Sequence, residues 1–220
     1  MRNTLLVATA AAAVTLGAMP AQAQQAGDVL FRVRAIMVAP NEDAGPVTPS
    51  FPTGSVDVDN AYAPEVDFTY MFTNNIGAEL ILGTTKHGIG GTDALAGLGN
   101  VATTWVLPPT LTLQYHFAPE SHIRPYVGAG INYTIFYSSN PSDSLESAIG
   151  QTDVSLDDSF GYALQAGIDF DITPRIFGNI DVKYIDMDTT ATLTTAGVGQ
   201  NKVDVSIDPL VFGIGIGLRL

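Results

Sequence analysis

The sequence predicts an all-β protein: an eight-stranded antiparallel transmembrane β-barrel with short periplasmic turns and long extracellular loops. Eight segments alternate apolar and polar residues with a period of two, whereas a helical period of 3.6 appears nowhere convincingly. The connections between these segments alternate strictly between long and short, as they do in outer-membrane barrels. A soluble β-sandwich is the alternative fold, but its Greek-key crossings mix long and short connections at both ends.

The first 23 residues have the composition of a cleavable signal peptide. Arg2 precedes an apolar stretch, and a pattern of small residues ends at Ala23. The apolar stretch is shorter than the roughly 20 residues that a membrane-spanning helix needs, which argues against a helical anchor. We therefore expect a signal peptide over residues 1–23 and a barrel domain over residues 24–220.

Turn residues divide the rest of the chain into strands. Three connections are tight and contain the Asn, Pro and Asp residues that turns favour: 73–75, 118–123 and 172–175. Four connections are long and polar: 41–61, 88–100, 138–155 and 191–201. The eight strands predicted between them cover residues 28–40, 62–73, 76–87, 101–117, 124–137, 156–171, 176–190 and 202–220.

The alternation assigns each strand one face toward lipid and one toward the lumen. The last strand is the clearest case, because Phe212, Ile214 and Ile216 share one face while Gly213 and Arg219 share the other. The same alternation of outward and inward side chains in the other strands predicts a mostly polar lumen. Its predicted lining residues, in chain order, are Arg32, Arg34, Ile36, Glu79, Ile81, Thr112, Gln114, His116, Asn132, Gln165, Asp181, Lys183 and Arg219.

The composition argues against several functional classes. Acidic residues number 22 against 9 basic ones, which argues against nucleic acid as a partner. The chain has no Cys, so it can form neither a disulfide nor a thiolate metal site. Its histidines at positions 87, 116 and 122 show no metal-ligand spacing. We therefore expect no cofactor and no metal. The chain is also not expected to be an enzyme, because no Ser lies opposite His116 in an obvious register.

Several motifs in one order resemble the OmpW family of eight-stranded outer-membrane proteins over essentially the whole mature chain. They are FTYM at Phe68–Met71, NIGAEL at Asn75–Leu80, LPPTL at Leu107–Leu111, RPYVGAGINY at Arg124–Tyr133, YIDMDTT at Tyr184–Thr190 and DPLVF at Asp208–Phe212. The chain departs from the usual terminal Phe of outer-membrane proteins, because it ends in Leu220.

The resemblance implies a narrow, largely apolar channel for small hydrophobic or amphipathic molecules in the outer membrane of a Gram-negative bacterium. Inward glycines at positions 128, 130, 167, 213, 215 and 217 could leave a cavity, with Leu30, Ile36, Val38, Met71 and Ile81 as its apolar lining. Alternatively, these glycines lie where close strand packing or curvature is needed. Ile81 resembles the family's constriction position, and the opposite half, which can be a large aromatic residue in the family, falls on Lys183. Outer-membrane lipid, lipopolysaccharide and the outer-membrane assembly machinery are the other implied partners.

A structural role is the alternative. An eight-stranded barrel is only just wide enough for its own side chains, so the inward charges could form a salt-bridged plug. The long loops would then carry the function, as an adhesion surface or a phage or bacteriocin receptor. Pro46, Pro49, Phe51 and Pro52 make the first loop the strongest candidate for such a surface.

Overall fold

The computed structural model describes residues 23–220, and these form a closed β-barrel with a structured extension at one end. The predicted signal peptide lies outside the described residues except for Ala23, and it stays a prediction. In chain order, the strands are β1 (Val29–Ala39), β2 (Asp43–Ala44), β3 (Gly54–Val58), β4 (Ala61–Met71), β5 (Ile76–Gly83), β6 (Thr85–Asp93), β7 (Asn100–Leu107), β8 (Thr110–His116), β9 (Ile123–Pro141), β10 (Thr152–Leu156), β11 (Ser159–Asp171), β12 (Ile176–Ile185), β13 (Asp188–Thr195), β14 (Gly199–Ser206) and β15 (Leu210–Arg219). The helices are a short 3₁₀ turn (Ala96–Leu98) and α1 (Asp143–Ile149).

Eight of these strands form the barrel wall, and every neighbouring pair is antiparallel. Their order around the barrel is β1, β4, β5, β8, β9, β11, β12 and β15. The first and last strands close the wall, with a register that runs from Leu30 opposite Arg219 to Ala39 opposite Leu210. The predicted fold class is therefore confirmed. Within residues 23–220, no helix combines the length and apolar character needed to cross a membrane.

The outer surface of the barrel is apolar and exposed. On β15, the side chains of Ile214 and Ile216 are 62% and 61% exposed, although both are large hydrophobic groups. Tyr115, Tyr133 and Tyr162 are also exposed on the outside of their strands. A continuous apolar surface of this kind suits contact with hydrocarbon rather than with water.

The barrel strands are shorter than predicted, because several predicted strands are interrupted. The predicted strand 101–117 breaks at Pro108 and Pro109, which have no N–H to donate to a neighbouring strand. The predicted strand 76–87 breaks at Thr84 beside them, and 202–220 breaks before Pro209. The apolar alternation resumes after each break, so the pattern alone does not reveal it.

The long connections, which were predicted only to be long and polar, contain regular secondary structure of their own. The segment 138–155 includes α1, a helix that the search for a 3.6-residue period did not reveal. This helix has only seven residues, too few to produce a clear 3.6-residue period. Its start carries a local signal, because the Ser142 hydroxyl accepts a hydrogen bond from the Leu145 amide at 3.2 Å.

The extension stands on one end of the barrel, which we call the loop end; the opposite end is the turn end. A four-stranded sheet there has the order β10–β13–β14–β2, and β3, β6 and β7 continue the wall beside the long β9. Side chains from these strands and from the segments between them form an apolar cluster that includes Val47, Leu95, Val203, Val205 and Ile207. The largest apolar cluster among the described residues therefore lies at the loop end, where the barrel strands and the extension meet.

Candidate functional site

The barrel lumen is filled by a network of buried ion pairs, which we call the plug. Its charged members are Arg32, Arg34, Glu65, Asp67, Glu79, Asp169, Asp181 and Lys183. The side chain of each is at most 5% exposed. Strand pairing brings the opposite charges together, because Arg32 lies directly opposite Asp67 and Arg34 directly opposite Glu65. Ions buried so deeply must be paired if the barrel is to be stable.

Each arginine of the plug binds carboxylates from several strands. Arg32 contacts Asp67 at 2.9 Å and Asp169 at 2.8 Å. Arg34 contacts Asp181 at 2.7 Å and Glu79 at 3.2 Å. Because these partners lie on β4, β5, β11 and β12, the two guanidinium groups tie opposite walls of the barrel together across the lumen.

Neutral polar side chains complete the plug. Glu79 accepts hydrogen bonds from Thr112 at 3.1 Å and from Gln114 at 2.7 Å. Gln165 donates to Asp181 at 3.2 Å. Tyr126 lies beside them, with its ring centroid 5.4 Å from the Arg32 guanidinium carbon. The lumen at this level therefore holds packed side chains, as expected for eight strands.

The inward glycines do not leave a cavity, which corrects the prediction made from them. A Cβ at Gly167 would lie 2.4 Å from the Tyr126 ring, and one at Gly217 would lie 2.2 Å from the Phe177 ring. At Gly130 and Gly215 the backbone of the neighbouring strand approaches to 1.9 and 2.1 Å of the same position. These glycines make room for large side chains and for close strand pairing.

An apolar chamber of about 110 Å³ lies directly above the plug, toward the loop end. Its wall is built by barrel strands and by the extension, and includes Ile36, Phe136, Val203, Val205 and Ile207. Most of its lining is aliphatic or aromatic. Val47 and Phe51 of the first connection also face it, so this segment contributes inward side chains as well as the exposed Pro49 and Pro52.

The floor of the chamber is the top layer of the plug. Among its described lining residues, only Glu65 and Lys183 carry a full charge. Their side chains meet at 2.8 Å, and Lys183 also contacts Asp181 at 2.9 Å. Ile81 lines the chamber beside this pair. The chamber is thus an apolar space with one ion pair at its base.

A break in the wall lies next to the chamber floor. β5 and β8 pair as far as Ile81 opposite Thr110, and pairing resumes only between β6 and β7, at Thr85 opposite Val106. Between these points Pro108 and Pro109 offer no backbone donor. Asn132 supports the break, because its side-chain amide donates to Thr110 at 2.8 Å and to the Pro108 carbonyl at 3.2 Å.

His87 is the one histidine in the chamber wall. Its Nδ1 lies 2.8 Å from the Asp59 carbonyl, and its Nε2 lies 2.9 Å from the Thr85 hydroxyl. Burial lowers the pKa of the His87 imidazole below its ordinary value, because the charged form loses hydration there. The neutral form of this side chain is therefore favoured at neutral pH, where it adds no charge to the wall above the floor.

The structure places all thirteen predicted lining residues inside the barrel but at different levels. Ile36, Ile81 and Lys183 line the chamber. Asn132 supports the wall break, and Arg219 lies at the turn end, 3.8 Å from carboxylate oxygens of Asp28 and Asp171. The remaining predicted residues belong to the plug or pack against it: Arg32, Arg34, Glu79, Thr112, Gln114, His116, Gln165 and Asp181.

Two residues predicted as apolar lining lie elsewhere. Leu30 and Met71 pack with Phe177 in a buried cluster at the turn end, below the plug. Gln24 closes this end: its backbone N–H donates to the Pro119 carbonyl at 2.8 Å, and its side chain is fully buried. The alternation along each strand predicted that Leu30 and Met71 point inward, but it did not predict their depth along the barrel axis.

The most important residues missed from the sequence are the apolar ones that the extension contributes to the chamber. Val203 and Val205 were assigned to the end of a barrel strand, and Leu145 and Val154 to a polar loop. For Val154, Val203 and Val205, alternation with polar residues in β10 and β14 is the signal that could have identified them as inward-facing. Leu145 lies in the short helix α1 and carries no such signal.

His116 is part of the plug packing. Its Nε2 lies 3.0 Å from the Gln114 side-chain oxygen, and its ring stacks on Tyr126 with centroids 5.1 Å apart. Neither neighbour is a nucleophile activated by an adjacent base. In residues 23–220, no group of three or more His, Asp or Glu side chains has the geometry to hold a metal ion.

Comparison with known proteins identifies relatives over nearly the whole chain. A family model described as the OmpW family matches residues 25–220. Outer membrane protein W of Escherichia coli K12 is 40% identical over 216 residues, which cover 97% of this chain and 98% of that protein. The dibenzothiophene metabolism operon protein PahQ of Pseudomonas aeruginosa is 31% identical over 169 residues, which cover 76% of this chain and 75% of that protein.

The fold is also that of a solved structure. The crystal structure of the outer membrane protein OprG from Pseudomonas aeruginosa superposes with a TM-score of 0.83 at 30% sequence identity. The superposition covers 91% of this chain and 99% of OprG. The relatives named as outer-membrane proteins and the barrel fold together place this chain in the outer membrane of a Gram-negative bacterium.

Proposed function

Because the chain belongs to the OmpW family of outer-membrane proteins, we propose that it admits small hydrophobic or amphipathic molecules to the apolar chamber and releases them sideways into the membrane. The observation that carries this proposal is the contrast between the two levels of the lumen. The upper level is an apolar chamber, whereas the lower level is a fully packed ionic plug. An apolar solute gains free energy in the first and would have to break buried ion pairs to enter the second.

The exit follows from the same contrast. A solute in the chamber meets Lys183 and Glu65 below it, so a path straight to the periplasm would cross the plug. The wall break beside Gly83 and Pro108 is the shorter route, because both residues line the chamber and the β5–β8 pairing has already ended there. Release through this break would deliver the molecule into lipid.

The name of PahQ connects a relative with the metabolism of dibenzothiophene, an apolar aromatic compound, which agrees with a hydrophobic cargo here. Lipid around the barrel, lipopolysaccharide at its loop end and the assembly machinery that inserts it are the partners we propose. We also propose that the chain acts without catalysis and that residues 1–23 are removed after export.

The plug alone would equally suit the alternative, a structural barrel whose loops serve as an adhesion surface or a phage or bacteriocin receptor. The chamber favours solute uptake over that alternative. A barrel used only as a support has no need of an apolar space between Ile36, Phe136 and Val203, and an unfilled space costs packing contacts.

Replacing Ile81 with Trp tests the proposed function. Ile81 is 4% exposed and lies at the chamber floor, so the larger indole would fill the space above the plug and obstruct the wall break. In cells of a Gram-negative host that lacks its own copy, we expect uptake of radiolabelled toluene to fall to the rate measured without the protein.

The matched control is Leu80→Trp, one position away on the same strand. Leu80 is 41% exposed on the outer surface, so the same added volume points into lipid and uptake should be unchanged. Heat-modifiable gel mobility must show that both variants are folded. Normal toluene uptake by folded Ile81→Trp protein would refute the proposed route.

A further inference from the structure

The ion pair at the chamber floor has unused hydrogen-bonding capacity. The Lys183 ammonium has three N–H donors, and its described partners, Glu65 Oε1 and Asp181 Oδ2, use two. The described partners of the Glu65 carboxylate, Lys183 and the Arg34 Nε, both contact Oε1. The floor therefore has one free donor on Lys183 and one free acceptor, Oε2 of Glu65.

The chamber reaches this pair because of a glycine. Gly83 lies directly opposite Glu65 in the strand pairing and lines the chamber. A Cβ at Gly83 would lie 3.6 Å from Cβ and Cγ of Glu65, which is ordinary van der Waals contact. We therefore expect a branched side chain at position 83 to extend over the Glu65 side chain and limit access to its carboxylate, whereas glycine leaves this side open to the chamber.

We propose that Glu65 and Lys183 form a head-group site that selects small neutral alcohols among the solutes entering the chamber. This inference rests on the proposed function and specifies its substrate class. A hydroxyl group is both a donor and an acceptor, so it can donate to Glu65 Oε2 and accept from Lys183 at once. Its apolar part then occupies the chamber between Ile36, Ile81 and Val203.

The charges around the site disfavour other head groups. The plug contains five carboxylates, Glu65, Asp67, Glu79, Asp169 and Asp181, against the three cations Arg32, Arg34 and Lys183. A carboxylate head would enter this negative surplus and face Glu65. The same surplus attracts an ammonium head, which could donate to Glu65, but the ammonium would lie against the like charge of Lys183 and could accept no hydrogen bond from it. An ether could accept from Lys183 but would leave Glu65 without a donor.

The volume of the chamber limits the apolar part. At about 110 Å³ it is comparable with an engineered protein cavity of about 150 Å³ that binds benzene. One ring or a short alkyl chain is therefore the size that suits it. The site therefore distinguishes solutes by the presence of a hydroxyl group and not by the length of their apolar part.

Fluorine NMR of the full barrel in lipid nanodiscs tests the site with four one-ring probes: para-fluorobenzyl alcohol, its methyl ether, para-fluorotoluene and para-fluorobenzylamine. Empty nanodiscs correct for partition into lipid. We expect the alcohol to bind about tenfold more tightly than the ether, as one additional hydrogen bond to a charged group implies. The toluene makes neither hydrogen bond, so its affinity should be no higher than that of the ether. The amine should bind more weakly than the alcohol.

Gly83→Val supplies the variant, because it covers Glu65 without removing any ion pair of the plug. It should reduce the preference for the alcohol over the toluene to about twofold or less, whereas Leu82→Val, at the neighbouring position, should retain it. Equal binding of alcohol and toluene by the natural protein would refute the head-group site and leave the chamber intact. If Ile81→Trp changes the affinity of none of the four probes, then no probe binds in the chamber. That result would refute the proposed function itself.

Discussion

Replacing Arg34 with Met should destabilise the folded barrel by about 3–5 kcal/mol, the usual cost of removing one partner from a buried ion pair. Arg34 contacts Glu65, Asp67, Glu79 and Asp181, and its own side chain is fully buried. Met has a similar length but no charge, so the substitution would leave these four carboxylates close together with one cation fewer in the plug. The measurement is urea unfolding of the barrel in lipid vesicles, with the folded fraction determined from gel mobility.

Arg175→Met is the matched control. Arg175 lies in an exposed turn at the turn end, so the same change of chemistry there should shift stability by less than about 1 kcal/mol. If Arg34→Met were as stable as this control, the plug could not be the element that holds the barrel walls together.

Replacing Gly130 with Ala should destabilise the barrel by about 3 kcal/mol or more, at the upper end of the cost of overpacking. The added Cβ would lie 1.9 Å from the Leu111 carbonyl oxygen and 2.6 Å from the Thr112 Cα. Both are backbone atoms of β8, so relief requires separation of β8 from β9. Urea unfolding in vesicles measures the loss.

Gly83→Ala is the control for this substitution, because both glycines face inward and only their surroundings differ. The Cβ at position 83 would meet its nearest neighbours at 3.6 Å, so stability should hardly change. Equal stability of the two variants would mean that Gly130 does not serve close strand pairing.

The direction of barrel side chains could be predicted because a strand has a period of exactly two residues. Once one apolar face was assigned to lipid, Arg32, Glu79 and Lys183 had to point inward, and all three are buried. The identity of the ion pairs was not predictable in the same way. Arg32 and Asp169 are far apart in the chain and meet only because the barrel closes.

Depth along the barrel axis was the main quantity that the sequence did not supply. Met71 and Ile81 share the inward direction, but Met71 lies at the turn end and Ile81 at the chamber floor. The glycines were misleading for a related reason. An absent side chain does not show whether the space stays empty, and at Gly167 the Tyr126 ring takes it.

The loop end was predicted least well, because its elements are short and interrupted. Segments such as β10 and α1 have too few residues for a strong periodic pattern, yet they contribute Val154 and Leu145 to the apolar chamber and the cluster around it. The polar residues between them face water and give the loops their hydrophilic composition. The apolar chamber therefore became evident only when these elements were assembled in space.

Photolabelling in native outer membranes tests the central claim most directly, because it requires no substitution. A benzene-sized aryl diazirine would be activated by light, and the labelled residues identified by mass spectrometry. Our account predicts labels on Ile36, Ile81 and Val203 that excess toluene suppresses, together with labels on the lipid-facing surface that toluene leaves unchanged. Labels confined to lipid-facing residues such as Ile214 and Ile216 would show that apolar solutes do not enter the chamber.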